Sequence, residues 1–234
     1  MTVLSVDALA AGYHGVPVVR DVSFSVESGS IVAVVGSNGA GKSTLLNATA
    51  GLLVAMAGSV RLGGREVTRL PAHVRAREGL ALVPQDRGIV RRLTVAENLR
   101  LLPRRAGAAV DAAVELFPAL GPLLGRRAGL LSGGEQQLLA LARVLALEPR
   151  VLLIDEMSAG LAPQAVERLF EAVRDVARRR GTAVVLVEQH AELALGIAER
   201  ALVLRHGEQA MWGTAADVLE HSDVLESTYL GGTR

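Results

Sequence analysis

The chain has 234 residues, half of them apolar, with a formal net charge of +1, 3% aromatic residues and no cysteine. This length suits one large domain or two small ones with a full core. The near-neutral charge and scarce aromatic residues argue against a nucleic-acid-binding surface, and the lack of cysteine excludes disulfides and thiolate metal sites. Residues 1–7 lack a signal-peptide pattern, and no run reaches the roughly 18 apolar residues of a membrane span. We therefore expect a soluble, cytoplasmic protein.

The first 35 residues predict three strands. Two are expected over residues 4–9 and 18–26, and the turn between them at 12–15 carries an exposed aromatic residue, Tyr13. Residues 31–35 form an unbroken apolar run rich in valine, which is typical of a buried parallel strand.

The next segment has the pattern G-x-x-x-x-G-K-S between this strand and a predicted helix, which is the context that a phosphate-binding loop requires. Backbone N–H groups of such a loop, together with the helix N-terminus, bind phosphate oxygens. Lys42, the only lysine of the chain, would reach the β- and γ-phosphates, and the Ser43 hydroxyl would bind Mg²⁺. The simpler alternative is a glycine turn that binds nothing. The residues of this predicted nucleotide-binding loop are Gly36, Ser37, Asn38, Gly39, Ala40, Gly41, Lys42, Ser43 and Thr44.

A small hairpin is predicted around Gly63 and Gly64, followed by a short helix that starts at Pro71 and a strand over 80–83. The composition then changes to arginine- and alanine-rich helix, with a capping box that begins at Thr94. We interpret this part as a helical subdomain inserted into an α/β core. The expected bounds are about 87–148 for the subdomain and about 1–86 and 149–234 for the core.

Residues 131–137 read LSGGEQQ before a long amphipathic helix. Ser132 and Glu135 have the spacing of a capping box, and capping is the simpler role for Ser132. Gly133 and Gly134 leave the first-turn N–H groups uncovered, which makes a second anion site. Two such helix N-termini in one domain suggest a nucleotide held between two copies of the chain.

Residues 151–154 are an apolar strand that delivers Asp155 and Glu156 to the carboxyl edge of a sheet, where ligands bind in α/β folds. Asp155 would hold the Mg²⁺ of a bound nucleotide, and Glu156 would polarise the attacking water. The simpler alternative is a strand that ends in two solvated acids.

The β/α rhythm continues to the end of the chain and predicts a mostly parallel sheet with helices on both faces. The expected elements are a helix over 163–180, a strand over 183–187, a helix over 192–198, a strand over 201–204, and a short strand with a helical tail.

Together, the phosphate loop, the LSGGEQQ run and the apolar strand ending in Asp-Glu resemble the ATP-binding subunit of an ABC transporter over essentially the whole chain. The resemblance implies a P-loop NTPase of ABC type, with a RecA-like core, a mostly parallel sheet, an N-terminal antiparallel β subdomain and an inserted α-helical subdomain. It implies ATP and Mg²⁺ as cofactors. It also implies head-to-tail dimers, in which the LSGGEQQ segment of one subunit closes over ATP on the phosphate loop of the other.

By position, the resemblance assigns Tyr13 to stacking on adenine and Gln85 to contacts with Mg²⁺ and the water. Taken alone, Tyr13 is a turn tyrosine and Gln85 a loop residue. The family's switch histidine falls on Gln189, with His190 one residue later. Either Gln189 makes a neutral contact to the γ-phosphate, or His190 moves into the position of the switch histidine. We favour Gln189, because strand alternation after Val187 would aim His190 elsewhere.

Two further positions depart from the family pattern, Met157 where proline is common and Ala162 where aspartate is usual. The run SAGLAP at 158–163, the glutamine in place of the switch histidine and TYLGG at 228–232 are similar to the LivF-type ATPases. Those energise importers of branched-chain amino acids, or of urea and short amides.

The expected function is therefore that of an ATPase subunit of an importer, peripheral to the cytoplasmic face of the membrane. The expected partners are permease subunits facing residues 87–92, a sister subunit or a second copy, and indirectly an extracytoplasmic substrate-binding protein. Two alternatives stay open, a soluble ABC-type ATPase of cofactor assembly and a regulator that binds nucleotide without hydrolysis. The sequence does not choose the transported substrate.

Overall fold

The computed structural model describes residues 1–101 and 106–221. These residues form two compact units. Of the described residues, the first contains Met1–Leu82, Arg150–Glu156 and 174–221, and the second contains those within Val83–Pro149 and Met157–Val173.

The structure contains ten strands and eight α-helices within the described residues. The strands are β1 (Thr2–Tyr13), β2 (Val16–Glu27), β3 (Ile31–Val35), β4 (Ala55–Leu62), β5 (Arg65–Glu66), β6 (Leu80–Val83), β7 (Val151–Asp155), β8 (Ala183–Glu188), β9 (Arg200–Arg205) and β10 (Glu208–Thr214). The helices are α1 (Lys42–Ala50), α2 (Ala72–Arg77), α3 (Val95–Arg100), α4 (Ala106–Leu116), α5 (Gly133–Leu145), α6 (Pro163–Arg180), α7 (Ala191–Leu195) and α8 (Ala215–Glu220).

An antiparallel sheet forms the N-terminal part of the first unit, with the strand order β2-β1-β4-β5. Alternate residues of β2, among them Val22, Phe24 and Val26, are buried, which is the period-two pattern of a sheet with one face on the core. These side chains join a hydrophobic core that also takes residues from α1 and from the second sheet.

The second sheet has the order β10-β9-β3-β8-β7-β6. Its central strands β9, β3, β8 and β7 run parallel, and β10 is antiparallel to β9. Every residue of β3, β7 and β8 is buried, as expected for strands covered on both faces. The register pairs Val35 with Glu188 and Asp155 with Val187, so these three strands end at the same carboxyl edge.

The second unit is built around α3, α4 and α5, with 3₁₀ turns at Pro118–Leu123 and Ala128–Leu130. Both predicted capping boxes are confirmed, one at Thr94 and Glu97 and one at Ser132 and Glu135. In each box the hydroxyl accepts from the third residue and the carboxylate accepts from the cap backbone.

The structure differs from the sequence prediction in a few places. Pro71 is the cap of α2 in an extended conformation rather than its first helical residue. Strand β4 begins at Ala55, five residues before the predicted hairpin, because its first half pairs with β1. Helix α7 is shorter than predicted. The TYLGG run at 228–232 lies outside the described residues, and the predicted subdomain bounds stay a prediction.

Candidate nucleotide-binding site

The predicted phosphate loop connects β3 to α1, as expected. Helix α1 begins without a side-chain cap and without an acidic residue in its first turn, so neither a cap side chain nor a first-turn carboxylate competes with an anion for its N-terminal N–H groups. Gly41 has φ 101°, and a Cβ there would lie 2.6 Å from Val19 Cγ1. A glycine is therefore required where the loop enters the helix.

Lys42 lies beneath this loop with only 4% of its surface exposed. Its Nζ donates to the carbonyl oxygens of Gly36 (2.8 Å) and Ser37 (3.1 Å), and it lies 3.8 Å from Glu156 Oε1. Burial lowers the pKa of Lys42, an effect opposed by the nearby carboxylates of Glu156, Asp155 and Glu188. The loop carbonyls and the acids thus hold a cation where phosphate oxygens would arrive.

Ser43 and Asp155 meet at the same edge. Ser43 Oγ donates to Asp155 Oδ1 at 3.1 Å. Burial raises the pKa of Asp155, and the hydrogen bond from Ser43 acts against this rise. A hydroxyl and a carboxylate side by side are oxygen donors of the kind that bind Mg²⁺ next to nucleotide phosphates, so the residues present fit that ion.

Glu156 follows β7 in a left-handed conformation with φ 47°, which costs roughly 1–2 kcal/mol for a residue with a Cβ. Its N–H donates to the Val187 carbonyl at 3.0 Å. This turn takes Glu156 out of the strand and brings its side chain within 3.8 Å of Lys42.

These residues line an open cleft of about 160 Å³. Pockets that enclose a whole drug-sized ligand are larger, about 300–1,000 Å³, so this cleft suits the phosphate end of a nucleotide. Its lining residues are Val18, Asn38, Gly39, Gly41, Lys42, Ser43, Thr44 and Glu156.

The end of β8 carries the switch candidates. Gln189 and His190 are both exposed, and His190 is the cap residue of α7. The β8 register places them just beyond Glu188, which pairs with Val35 at the start of the phosphate loop. Which of the two faces the γ-phosphate stays a prediction.

Sequence reasoning missed Glu188, which is 1% exposed and whose charge acts on Lys42. The signal was available, because Glu188 ends an apolar strand in the same way as Asp155.

Tyr13 is 48% exposed at the end of β1. It pairs with Val16 in the β1–β2 hairpin, two residues before Val18, which lines the cleft. This position beside the cleft is compatible with stacking on a base, and the stacking role stays a prediction.

The LSGGEQQ segment belongs to the second unit. Ser132 N donates to Glu135 Oε2 at 2.7 Å, and Glu135 N donates to Ser132 Oγ at 3.3 Å. A Cβ on Gly133 would lie 2.8 Å from Leu161 Cδ2, and a Cβ on Gly134 would lie 3.0 Å from Ala165 Cβ. The two glycines therefore have a packing role that the sequence did not reveal, besides leaving their N–H groups uncovered.

Gln85 also belongs to the second unit and is exposed in the loop after β6. Arg87 was expected to face a permease with the rest of 87–92. Its guanidinium donates to Gln136 and Gln137 of α5, and Arg91 and Arg92 are exposed. That this segment faces a permease stays a prediction.

A glycine loop opening a helix, a buried lysine and a Ser–Asp pair at the carboxyl edge of a mostly parallel sheet define a phosphate-loop nucleotide-binding protein. The family model described as "ABC transporter" matches residues 19–159. The chain belongs to the ABC transporter family, and it is an ATP-hydrolysing cassette coupled to transport.

The chain is 42% identical to the high-affinity branched-chain amino acid transport ATP-binding protein BraG of Pseudomonas aeruginosa, over 98% of this chain and 100% of BraG. It is 34% identical to the lipopolysaccharide export system ATP-binding protein LptB of Escherichia coli (strain K12), over 99% of this chain and 98% of LptB.

Among solved structures, the ADP conformation of MJ1267, an ATP-binding cassette of an ABC transporter, superposes with a TM-score of 0.87 at 25% identity. The match covers 97% of this chain and 98% of MJ1267. These likenesses bear out the predicted family and the predicted fold class. Among residues 1–101 and 106–221, no helix combines the length and the apolarity needed to cross a bilayer.

Proposed function

We propose that this chain is the ATPase subunit of an importer for branched-chain amino acids or a related small polar solute. The observation that carries the proposal is the likeness to BraG over 98% of this chain and all of BraG. The SAGLAP run and the glutamine at position 189 support the same subfamily. The likeness to LptB makes an export ATPase the second candidate.

ATP binds in this proposal with its phosphates on the loop between β3 and α1. Lys42, held by Gly36 and Ser37, donates to the β- and γ-phosphates. Ser43 and Asp155, joined at 3.1 Å, would hold Mg²⁺, and the ion would supply positive charge to neutralise the phosphates. Glu156 accepts a proton from the attacking water as general base, and Gln85 and Gln189 or His190 orient the water and the γ-phosphate.

Residues Ser132–Glu135 of one subunit close over ATP bound to another subunit. The support is the first turn of α5, where two glycines present N–H groups and the helix dipole adds positive charge. When the chain is purified by itself, the second subunit is another copy of it. In the transporter, the second subunit is another copy or a sister ATPase.

The cassette is peripheral to the cytoplasmic face of the membrane and contacts permease subunits through the segment after Gln85. Arg91, Arg92 and Val90 are exposed there, which gives a basic and apolar surface for a permease. An extracytoplasmic binding protein would deliver the solute to the permease and would not touch this chain.

The test is reconstitution of the chain in proteoliposomes with the permease subunits that co-purify with it, followed by uptake of radiolabelled leucine, urea and acetamide. We expect ATP-dependent uptake of one of these solutes that is lost with Lys42→Ala, because this variant removes the cation that binds phosphate. A complex that hydrolyses ATP but takes up none of them would refute the importer proposal. ATP-driven release of lipopolysaccharide would support the export alternative.

A further inference from the structure

In the second unit, the segment after Gln85 donates hydrogen bonds to α5 and also accepts one from it. Arg87 donates from Nη1 to Gln136 Oε1 at 2.5 Å and from Nε to Gln137 Oε1 at 3.1 Å. In return, Arg143 of α5 donates to the carbonyl oxygen of Gly88. Arg87 has φ 68°, a left-handed conformation that persists only where the surroundings enforce it. The contacts with α5 therefore fix the place and the shape of this segment.

Gln136 connects Arg87 by hydrogen bonds to the residues before Ser132. It is buried, and its Nε2 donates to the carbonyl oxygens of Ala128 (3.1 Å) and Leu131 (3.2 Å). If the Gln136 amide were rotated by 180°, Nε2 would face the guanidinium of Arg87 and Oε1 would face the two carbonyls. The three hydrogen bonds of this amide would then be lost. Arg87 thus selects the amide orientation that anchors the turn leading into the LSGGEQQ segment.

We propose that Arg87 is a positioning residue that sets the geometry of Ser132–Glu135 for ATP bound to the partner, rather than a residue that contacts the permease. This inference rests on the proposed function, in which that segment closes over ATP. Arg87 would then connect the permease-facing segment to the second anion site. If Arg87 moved, Gln136 would lose its acceptor contact and would no longer fix the turn before Ser132.

The test uses the full chain with Glu156→Gln, so that ATP is bound but not consumed. Arg87→Met removes the charged fork and keeps a long side chain, and Arg100→Met on the exposed end of α3 is the matched control. ATP-induced dimerisation is measured by light scattering. ATP affinity is measured with a fluorescent ATP analogue on dilute, monomeric protein.

Hydrogen bonds to charged groups contribute about 1.5–3 kcal/mol, and each 1.4 kcal/mol is tenfold in an equilibrium constant. We therefore expect Arg87→Met to raise the ATP concentration for half-maximal dimerisation by about tenfold or more. The ATP affinity of the monomer should stay unchanged, because the phosphate loop belongs to the other compact unit. General loss of folding would lower both.

A second measurement does not depend on dimerisation. Amide hydrogen exchange of residues 128–135 should rise in Arg87→Met, while that of residues 36–44 stays constant. Arg87→Met and Gln136→Leu combined should change both readouts by less than the sum of the two single effects, since the two substitutions share the contact between Arg87 and Gln136.

Equal dimerisation and equal exchange in the Arg87→Met and parent proteins would overturn the role of Arg87 and leave the proposed function standing. A parent protein that binds ATP but never dimerises would overturn both.

Discussion

Ionisable side chains at the carboxyl edge of the parallel sheet are held where burial disfavours their charge. Burial raises the pKa of Asp155 and lowers that of Lys42, and neither side chain is more than 7% exposed. We expect phosphate oxygens at Lys42 and Mg²⁺ at Asp155 to offset this cost when nucleotide is bound. The nucleotide-free site is therefore electrostatically costly in the folded state.

Asp155→Asn should raise the melting temperature of the nucleotide-free protein at pH 7 while it removes ATPase activity. The folded-state pKa of Asp155 is raised, so its carboxylate destabilises the fold at neutral pH. This cost disappears as the pH falls through the raised pKa toward the ordinary value of 3.8. Calorimetry of both proteins from pH 7 downward checks this.

The gain in melting temperature should shrink as the pH falls and vanish below the ordinary pKa of an aspartate. Asn retains an oxygen that accepts from Ser43, so the hydrogen bond is not lost. A variant that melts lower than the parent at pH 7 would contradict the assignment of a destabilising carboxylate.

Glu156→Gln should lower the turnover of ATP by about 10²–10⁴-fold, the contribution of a general base, without loss of ATP binding. The amide keeps the shape of the side chain but cannot accept the proton of the attacking water. Steady-state phosphate release and binding of a fluorescent ATP analogue measure the two quantities. Glu171→Gln on the exposed surface of α6 is the control, and near-parent turnover in Glu156→Gln would remove Glu156 from its role.

At the scale of elements, α1 is supported at the end opposite the phosphate loop by a buried arginine. Arg75 is 1% exposed, and its guanidinium donates to the carbonyl oxygens of Ala48 (2.8 Å) and Thr49 (2.7 Å) at the end of α1. It also donates to Leu70 (2.9 Å) and Thr68 (2.6 Å). A cation at a helix C-terminus complements the helix dipole, so Arg75 stabilises α1 from its C-terminal end and leaves the first turn open for phosphate.

Arg75→Met should lower the free energy of unfolding by about 3 kcal/mol, because two buried and two partly buried carbonyls lose a charged donor. Urea unfolding followed by the fluorescence of Trp212, the only tryptophan of the chain, measures this change. Arg77→Met in the same helix is exposed and should have little effect. Equal stabilities for the two variants would show that Arg75 does not brace α1.

The elements that could be predicted from the sequence are those with strong local signals. Strand β6 and helix α6 have the predicted bounds, and the two capping boxes form as their spacing requires. The first half of β4 could not be predicted, because its residues become a strand only by pairing with β1. Local pattern carries no signal for a partner that lies distant in the chain.

In the candidate site too, residues with a local sequence signal could be predicted and a contact between distant parts of the chain could not. Lys42, Ser43, Asp155 and Glu156 were predicted from motifs, and the structure brings them together at one edge. The contact of Arg87 with Gln136 was not predicted, because a long side chain reaching across 49 residues of chain leaves no periodic trace.

At the scale of the whole molecule, each compact unit contains one helix, α1 or α5, whose N-terminal N–H groups we expect to bind nucleotide phosphates. The cleft on the phosphate loop has room for phosphates and is open to solvent. Closure by a partner would exclude water around ATP and strengthen each electrostatic contact there. Opening and closing of such pairs is the motion by which an ATPase of this family would act on a permease.

The absence of cysteine from the chain allows the head-to-tail arrangement to be tested by a single cross-linking measurement. One batch of Glu156→Gln protein carries Asn38→Cys within the phosphate loop, and a second carries Leu130→Cys two residues before Ser132. The two batches are mixed and treated with a short bismaleimide in the presence of ATP, ADP or no nucleotide. The account predicts a dimer between Asn38→Cys and Leu130→Cys chains that forms with ATP and not with ADP. Cross-links that form equally with and without ATP, or that join only identical positions, would contradict this account.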